Sequence, residues 1–305
     1  MDDKPFAPPM SGPEGIPERF WESLGDPVEG TEQPFRILDF DVVLNLPDDL
    51  AHGVRGHMAL QEECGRGKRR HRVRVLRSPK PQFQGAHTRP LDYRISFIHS
   101  PGVLEFYAYH FAARIPMGEG EPVMALGSAP LTHLQTEVEN FIRVYTSVLL
   151  LRERAFLLHS SSAVVDGGAV VFFGHSGAGK TTSALLFQDA GHAVLSDDLN
   201  ILCEREGKWW VQASPFVSAV KKVQPGLFPP RHLFFLFKAK QNAIQPVPRP
   251  VQMAYLFSNL VGVNGIPSLH GDIIQVLDRL VPTVPVSALH FKNDKEFVPW
   301  LRSHW

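Results

Sequence analysis

From Phe35 the apolar residues fall at alternate positions, the period of a strand with one buried face. "FRILDFDVVLNL" is rich in β-branched residues, and "DYRISFIH" and "VLEFYAYHF" flank "SPG" at 100–102, a hairpin turn signal. Residues 35–130 therefore predict a small, mostly β subdomain. The period then changes. In 131–154, Leu134, Val138, Phe141, Ile142, Tyr145, Val148 and Leu149 recur at three- and four-residue intervals, the stripe of one long helix, with Thr132 or Thr136 as its cap. Beyond it, short apolar runs alternate with turns. "AFLLHSSSAVV", "DGG" (166–168) and "AVVFFG" predict a hairpin, "KTTSALLFQDAG" a helix that Gly191 stops, and "HAVLSDD" a buried strand ending in two acids. "LNILCE" and "WWVQAS" predict a second hairpin and "HLFFLF" a further buried strand. "RPVQMAYLFSNLVG", "SLHGDIIQVLDRLV" and "DKEFVPWL" predict helices, and "PVSALHF" a strand. The expected fold class is α/β: a core over 131–305, led by the helix 131–154, with a smaller β subdomain before it.

Residues 1–34 break this pattern. Seven prolines and few aliphatic residues predict a flexible leader with one helical turn at "PERFWESL", where Phe20 and Trp21 dock on the body or bind a partner.

Composition narrows the function classes. The 305 residues carry 31 Lys plus Arg and 31 Asp plus Glu, so no global field favours nucleic acid or an anionic membrane. The local exception is "RGKRRHRVRVLR", 66–77, with seven Lys and Arg residues in twelve. It reads as a solvated loop running into an edge strand, or as a docking surface for an acidic peptide or protein acceptor. Nucleic acid is not expected, since no recognised nucleic-acid module is present. The two cysteines, Cys64 and Cys203, form no C-x-x-C and imply no disulfide framework. No signal-peptide pattern opens the chain and no apolar run reaches about 20 residues, so a cytoplasmic protein without a membrane span is expected.

The chemistry centres on "GHSGAGKTT": Gly174, His175, Ser176, Gly177, Ala178, Gly179, Lys180, Thr181 and Thr182. Gly174 to Thr181 matches G-x-x-x-x-G-K-[ST], lying between a predicted strand and a predicted helix. Such a loop aims backbone N–H groups at phosphate oxygens, its lysine adds a point charge, and its threonine hydroxyl ligates Mg²⁺. A strand ending in Asp197 and Asp198 follows 17 residues after Lys180. One carboxylate serves the metal; a second has the role of a base toward a hydroxyl, or caps a turn.

His159, the loop, Gly191-His192 and Asp197-Asp198 keep one spacing across 157–202. That segment resembles the catalytic core of the HPr kinase/phosphorylase superfamily, which shares its fold with ATP-dependent phosphoenolpyruvate carboxykinase. The resemblance implies ATP held by the loop and Lys180, and Mg²⁺ on Thr181 and Asp197. It makes Asp198 the acid/base toward an acceptor serine and gives His159 a place at the reacting phosphate. The chain departs from the HPr kinases proper at Thr182, where they carry an acid. It also has "SPFVSAVKKVQPG" (214–226) where they carry a metal-binding Glu. It looks more like stand-alone relatives, some of which modify ribosomally made peptides. The implied function is an ATP/Mg-dependent kinase acting on a serine-type hydroxyl of a peptide or protein. The alternatives are a carboxykinase-like enzyme and a nucleotide-gated scaffold without transfer. A GTPase is disfavoured by the absence of N-K-x-D. Lys221, Lys222, Arg231 and Arg249 are candidates for a second phosphate clamp, "SPF" (214–216) for the acceptor site, and homo-oligomerisation is left open.

Overall fold

Two-residue turns set several strand pairings. Between Val165 and Gly168 the chain reverses through Asp166 and Gly167, both at positive φ (47° and 79°). That backbone matches the twist of an antiparallel pair, and an Asp-Gly dipeptide is among the few that adopt it without strain. In the computed structural model, which describes residues 16, 18–56, 58, 69–78, 83, 95–216 and 224–304, such pairings build two mixed sheets accompanied by seven α-helices. The chain divides into two compact units, Met1–Thr146 and Ser147–Trp305. No helix among the described residues is long and apolar enough to cross a membrane.

The first unit holds α1 (Glu18–Glu22), β1 (Thr31–Ile37), β2 (Phe40–Leu46), α2 (Asp48–Gly56), β3 (Arg69–Arg77), β4 (Ser96–Ser100), β5 (Val103–Tyr107), β6 (Phe111–Pro116) and β7 (Val123–Leu126). Its sheet order is β1-β2-β3-β7-β6-β5-β4. The expected hairpin at 100–102 is present, with Ser100 opposite Val103. The run "VLEFYAYHF" is broken in two, because the chain turns at 108–110 between β5 and β6. The expected edge position for the basic strand is corrected. β3 pairs in parallel with both β2 and β7 and lies inside the sheet. Val73 and Val75 point to the buried face and Arg70, Arg72 and Arg74 to the other.

The leader also folds onto the body at its end. Ile16 and Phe20 are buried. The backbone N–H of Ile16 and the Trp21 indole donate to the buried Glu105 carboxylate at 2.7 and 2.9 Å, and Arg114 donates to it at 2.8 Å. Phe20 and Trp21 thus serve docking.

The long helix α3 (Leu131–Arg152) starts after Pro130 and is capped by neither threonine; the Thr136 hydroxyl turns back to the Thr132 carbonyl instead. Its Phe141 stacks on Phe106 at 5.9 Å.

The second unit contains β8 (Ala155–Val165), β9 (Gly168–Phe173), α4 (Lys180–Asp189), β10 (Ala193–Ser196), β11 (Leu199–Arg205), β12 (Lys208–Ala213), β13 (Pro230–Lys238), β14 (Ala243–Pro246), α5 (Arg249–Ser258), α6 (His270–Leu280), β15 (Val286–Phe291) and α7 (Phe297–Ser303). The path β12-β11-β8-β9-β13-β15-β14 forms its sheet, with β10 added beside β8. β9, β13 and β15 run parallel, so their C-terminal ends lie on one side. Phe172, Phe187, Phe234, Leu289, Phe291 and Phe297 form the core that fixes α4 on those strands. Burying an aromatic side chain of this size contributes about 2–3 kcal/mol, so this cluster is what holds the helix behind the Gly174–Thr181 loop in place.

Candidate functional site

β8 changes partners half-way along its length. Residues 155–159 pair with β11, whereas 160–165 pair with β9 and 162–164 also with β10. Because β10 and β11 both lie antiparallel to β8, the two residues between them, Asp197 and Asp198, are forced against the middle of β8. The N–H of Ser160 donates to the Asp198 carbonyl at 2.9 Å. The Ser196 hydroxyl accepts from the N–H groups of Asp198 and Leu199 at 3.2 and 3.1 Å, which turns the backbone there. The turn overrides strand alternation, and both carboxylates reach one cleft. Asp197 is buried, and the half-buried Asp198 lies 3.3 Å from Nδ1 of His159.

The other wall is the loop between β9 and α4. Its last glycine, Gly179, has φ 113°, and a Cβ there would meet the Phe291 ring at 2.8 Å. A side chain at this position is therefore excluded twice, by backbone and by space. At Gly174 a Cβ would stand 3.2 Å from the Leu236 carbonyl. Nζ of Lys180 curls into the loop it terminates, donating to the carbonyls of Gly174 and His175 at 2.8 and 3.1 Å. Burial pushes the Lys180 pKa below its ordinary value, and the Asp198 charge opposes that shift.

Together these residues enclose a cleft of about 410 Å³ lined by His159, Ser176, Gly177, Gly179, Lys180, Thr181, Thr182, Asp197, Asp198 and Lys238. Most of the residues nominated from the sequence thus converge. Three do not line the cleft. Gly174 only accepts from Lys180, Ala178 packs on the core, and the exposed His175 sets its ring edge-on to Phe235 at 5.3 Å. The donor set suits a nucleotide and a hard cation. A glycine cradle closes on backbone, an ammonium sits beside it, and Thr181 hydroxyl with two carboxylates supplies oxygen ligands. The Thr181 hydroxyl already lies 3.5 Å from the Asp197 carbonyl.

The described clamp candidates lie elsewhere. Arg231 is at the opposite end of β13 and donates to the Asp166 carbonyl at 2.7 Å, and Arg249 pairs with Asp278 on α6. Lys221 and Lys222 lie outside the described residues. Ser214 and Phe216 of "SPF" are buried and do not line the cleft. Part of the charge of the basic run is spent locally: Arg70 and Arg72 both pair with Glu32, and Arg69 with Asp39.

Two features escaped the sequence reading. One is Lys238, which ends "HLFFLFK" and so sits at the C-terminal edge of a parallel strand, the side on which α/β sheets present ligands. The other is the serine run behind His159. Ser161 and Ser183 both donate to the Lys180 carbonyl at 2.7 Å. Ser162 donates to Asn200 at 2.6 Å, and Asn200 donates to the Ser160 carbonyl at 2.7 Å. These fully buried bonds tie β8 to α4 and to β11, fixing the two walls of the cleft. Three consecutive serines in an otherwise apolar strand were the signal.

No family model matches the chain, and no curated protein matches it. Among solved structures, a similar chain is the Hpr(Ser) kinase/phosphatase from Coxiella burnetii, at 12% identity and a TM-score of 0.30, covering 48% of this chain and 95% of that one.

Proposed function

We propose that this protein is an ATP- and Mg²⁺-dependent kinase that transfers the γ-phosphoryl group to a serine-type hydroxyl of a peptide or protein. The observation that carries the proposal is the meeting of Lys180, Asp197, Asp198 and His159 in one cleft over a glycine-lined loop. Bound ATP supplies the phosphoryl group; Thr181 and Asp197 are the residues that would hold the cation.

Asp198 is the base. It is partly open to solvent, within reach of an incoming acceptor, and held by His159 at 3.3 Å. The acceptor oxygen forms a bond to the γ-phosphorus as the bond from that phosphorus to the bridging oxygen breaks. The acceptor proton passes to the Asp198 carboxylate and then to water, leaving phosphoserine and ADP. His159 orients the carboxylate. Lys180, drawn into the loop by two carbonyls, places its charge at the phosphates.

The proposal is tested by incubating the protein with γ-labelled ATP, Mg²⁺ and a randomised serine-containing peptide library. Label on serine is expected. Asp198→Asn should lose transfer by about 10²–10⁴-fold while still binding nucleotide. Transfer by Asp198→Asn at the wild-type rate would refute the assignment.

A further inference from the structure

Lys238 is the cation in the cleft that has no assigned task. It is exposed, closes β13, and is held by backbone pairing next to Phe291, whose ring backs Gly179. Among the described residues it has no ion pair. Two other charged groups of the cleft are engaged, Lys180 with two loop carbonyls and Asp198 with His159, and Asp197 is the carboxylate assigned to the cation. Phosphoryl transfer spreads negative charge over three equatorial oxygens and the leaving bridge, and one divalent cation with one tethered ammonium leaves part of it uncompensated. A lysine on a strand end combines a fixed Cα with a flexible four-carbon stem, suited to follow a group that moves from donor to acceptor.

We propose that Lys238 is the second cationic clamp of the cleft, touching the phosphoryl group as it transfers. The proposal rests on the phosphotransfer reading above. It makes Lys238 a catalytic residue whose contact strengthens as charge develops.

The test compares wild type with Lys238→Met and Lys238→Arg by calorimetric titration with Mg·ADP, and with Mg·ADP plus aluminium fluoride, a mimic of the transferring group. Melting temperatures are measured alongside. Wild type is expected to bind the fluoride complex more tightly than ADP. Lys238→Met should bind ADP within about twofold of wild type but the fluoride complex about 10²-fold more weakly, with unchanged melting and partial recovery in Lys238→Arg. Equal weakening toward both ligands, or no weakening, overturns the clamp. A wild type that gains nothing from aluminium fluoride overturns it as well. A wild type that binds neither Mg·ADP nor Mg·ATP removes the phosphotransfer reading itself. Normal wild-type binding with an indifferent Lys238→Met removes only the clamp.

Discussion

Charge gathers on the strand β3 and in the cleft beside β8, and the fold treats the two oppositely. On β3 the density of arginine is higher, yet three of the described arginines pair with acids of the β1–β2 hairpin: Arg70 and Arg72 with Glu32, Arg69 with Asp39. In the cleft four charged side chains and a histidine face one volume, and the ammonium of Lys180 is buried on two backbone carbonyls with the Asp198 charge nearby. Charge density along a sequence is therefore a poor guide to chemistry. What counts is whether folding leaves a charge solvated and paired, or removes it from water and aims it at a space. The first costs little and contributes little. The second is expensive and persists where something else compensates.

The largest expected effect is at Lys180. Lys180→Ala should reduce transfer by about 10³-fold, since a preorganised cation at the phosphates is among the largest single contributions to such a reaction; residual transfer with γ-labelled ATP near the wild-type level would mean the buried ammonium is structural only.

Next comes the scaffold of the cleft. Asn200→Leu leaves the Ser160 carbonyl and the Ser162 hydroxyl buried without their partner. It should cost about 3 kcal/mol in denaturant unfolding.

A third site sharpens the rule, because it is buried charge with no evident use. Glu137 is buried, accepts the His110 N–H at 3.2 Å, and leaves Oε2 without a partner. Burial raises its pKa to about 7. The folded form therefore holds a proton that the unfolded form has released, so stability falls as pH rises from the ordinary carboxyl range to about 7 and levels off above it. Glu137→Gln should be more stable than wild type at pH 8 by on the order of 2 kcal/mol, with the gap closing at pH 5. Thermal unfolding at the two pH values decides it, and a gap independent of pH would contradict the burial argument.

Smallest is the arginine strand. Arg70→Ala with Arg72→Ala should leave both melting temperature and transfer to serine peptides unchanged. A large loss of peptide transfer alone would mark β3 as an acceptor-docking surface.

Local signals in the sequence carried most of this. The Asp166-Gly167 turn, the loop 174–181 with its flanking strand and helix, and the helix stop at Gly191 depend on neighbours in the chain and were legible there. Long-range placement was not. Nothing within 66–77 says that its strand lies between two parallel partners. Nothing near Lys238 says that β13 sits beside β9, with Phe235 level with Phe173 at the loop's entry. α2 was missed although Leu50, Ala51 and Val54 bury one face, because its short apolar stripe lies among charged and small residues. β14 was missed because a short, polar edge strand next to prolines carries little pattern. The serine run was visible but ambiguous until Asn200 and Lys180 were placed against it.

On the proposed reading the cleft holds the nucleotide, and the basic strand takes no part in binding it. Calorimetric titration with Mg·ATP tests it most directly on three proteins: wild type, Lys180→Ala, and the double variant Arg70→Ala with Arg72→Ala. One nucleotide per chain is expected for wild type, the same affinity for the double variant, and an affinity about 10²-fold weaker for Lys180→Ala. No binding by wild type, or equal binding by wild type and Lys180→Ala, would contradict the account.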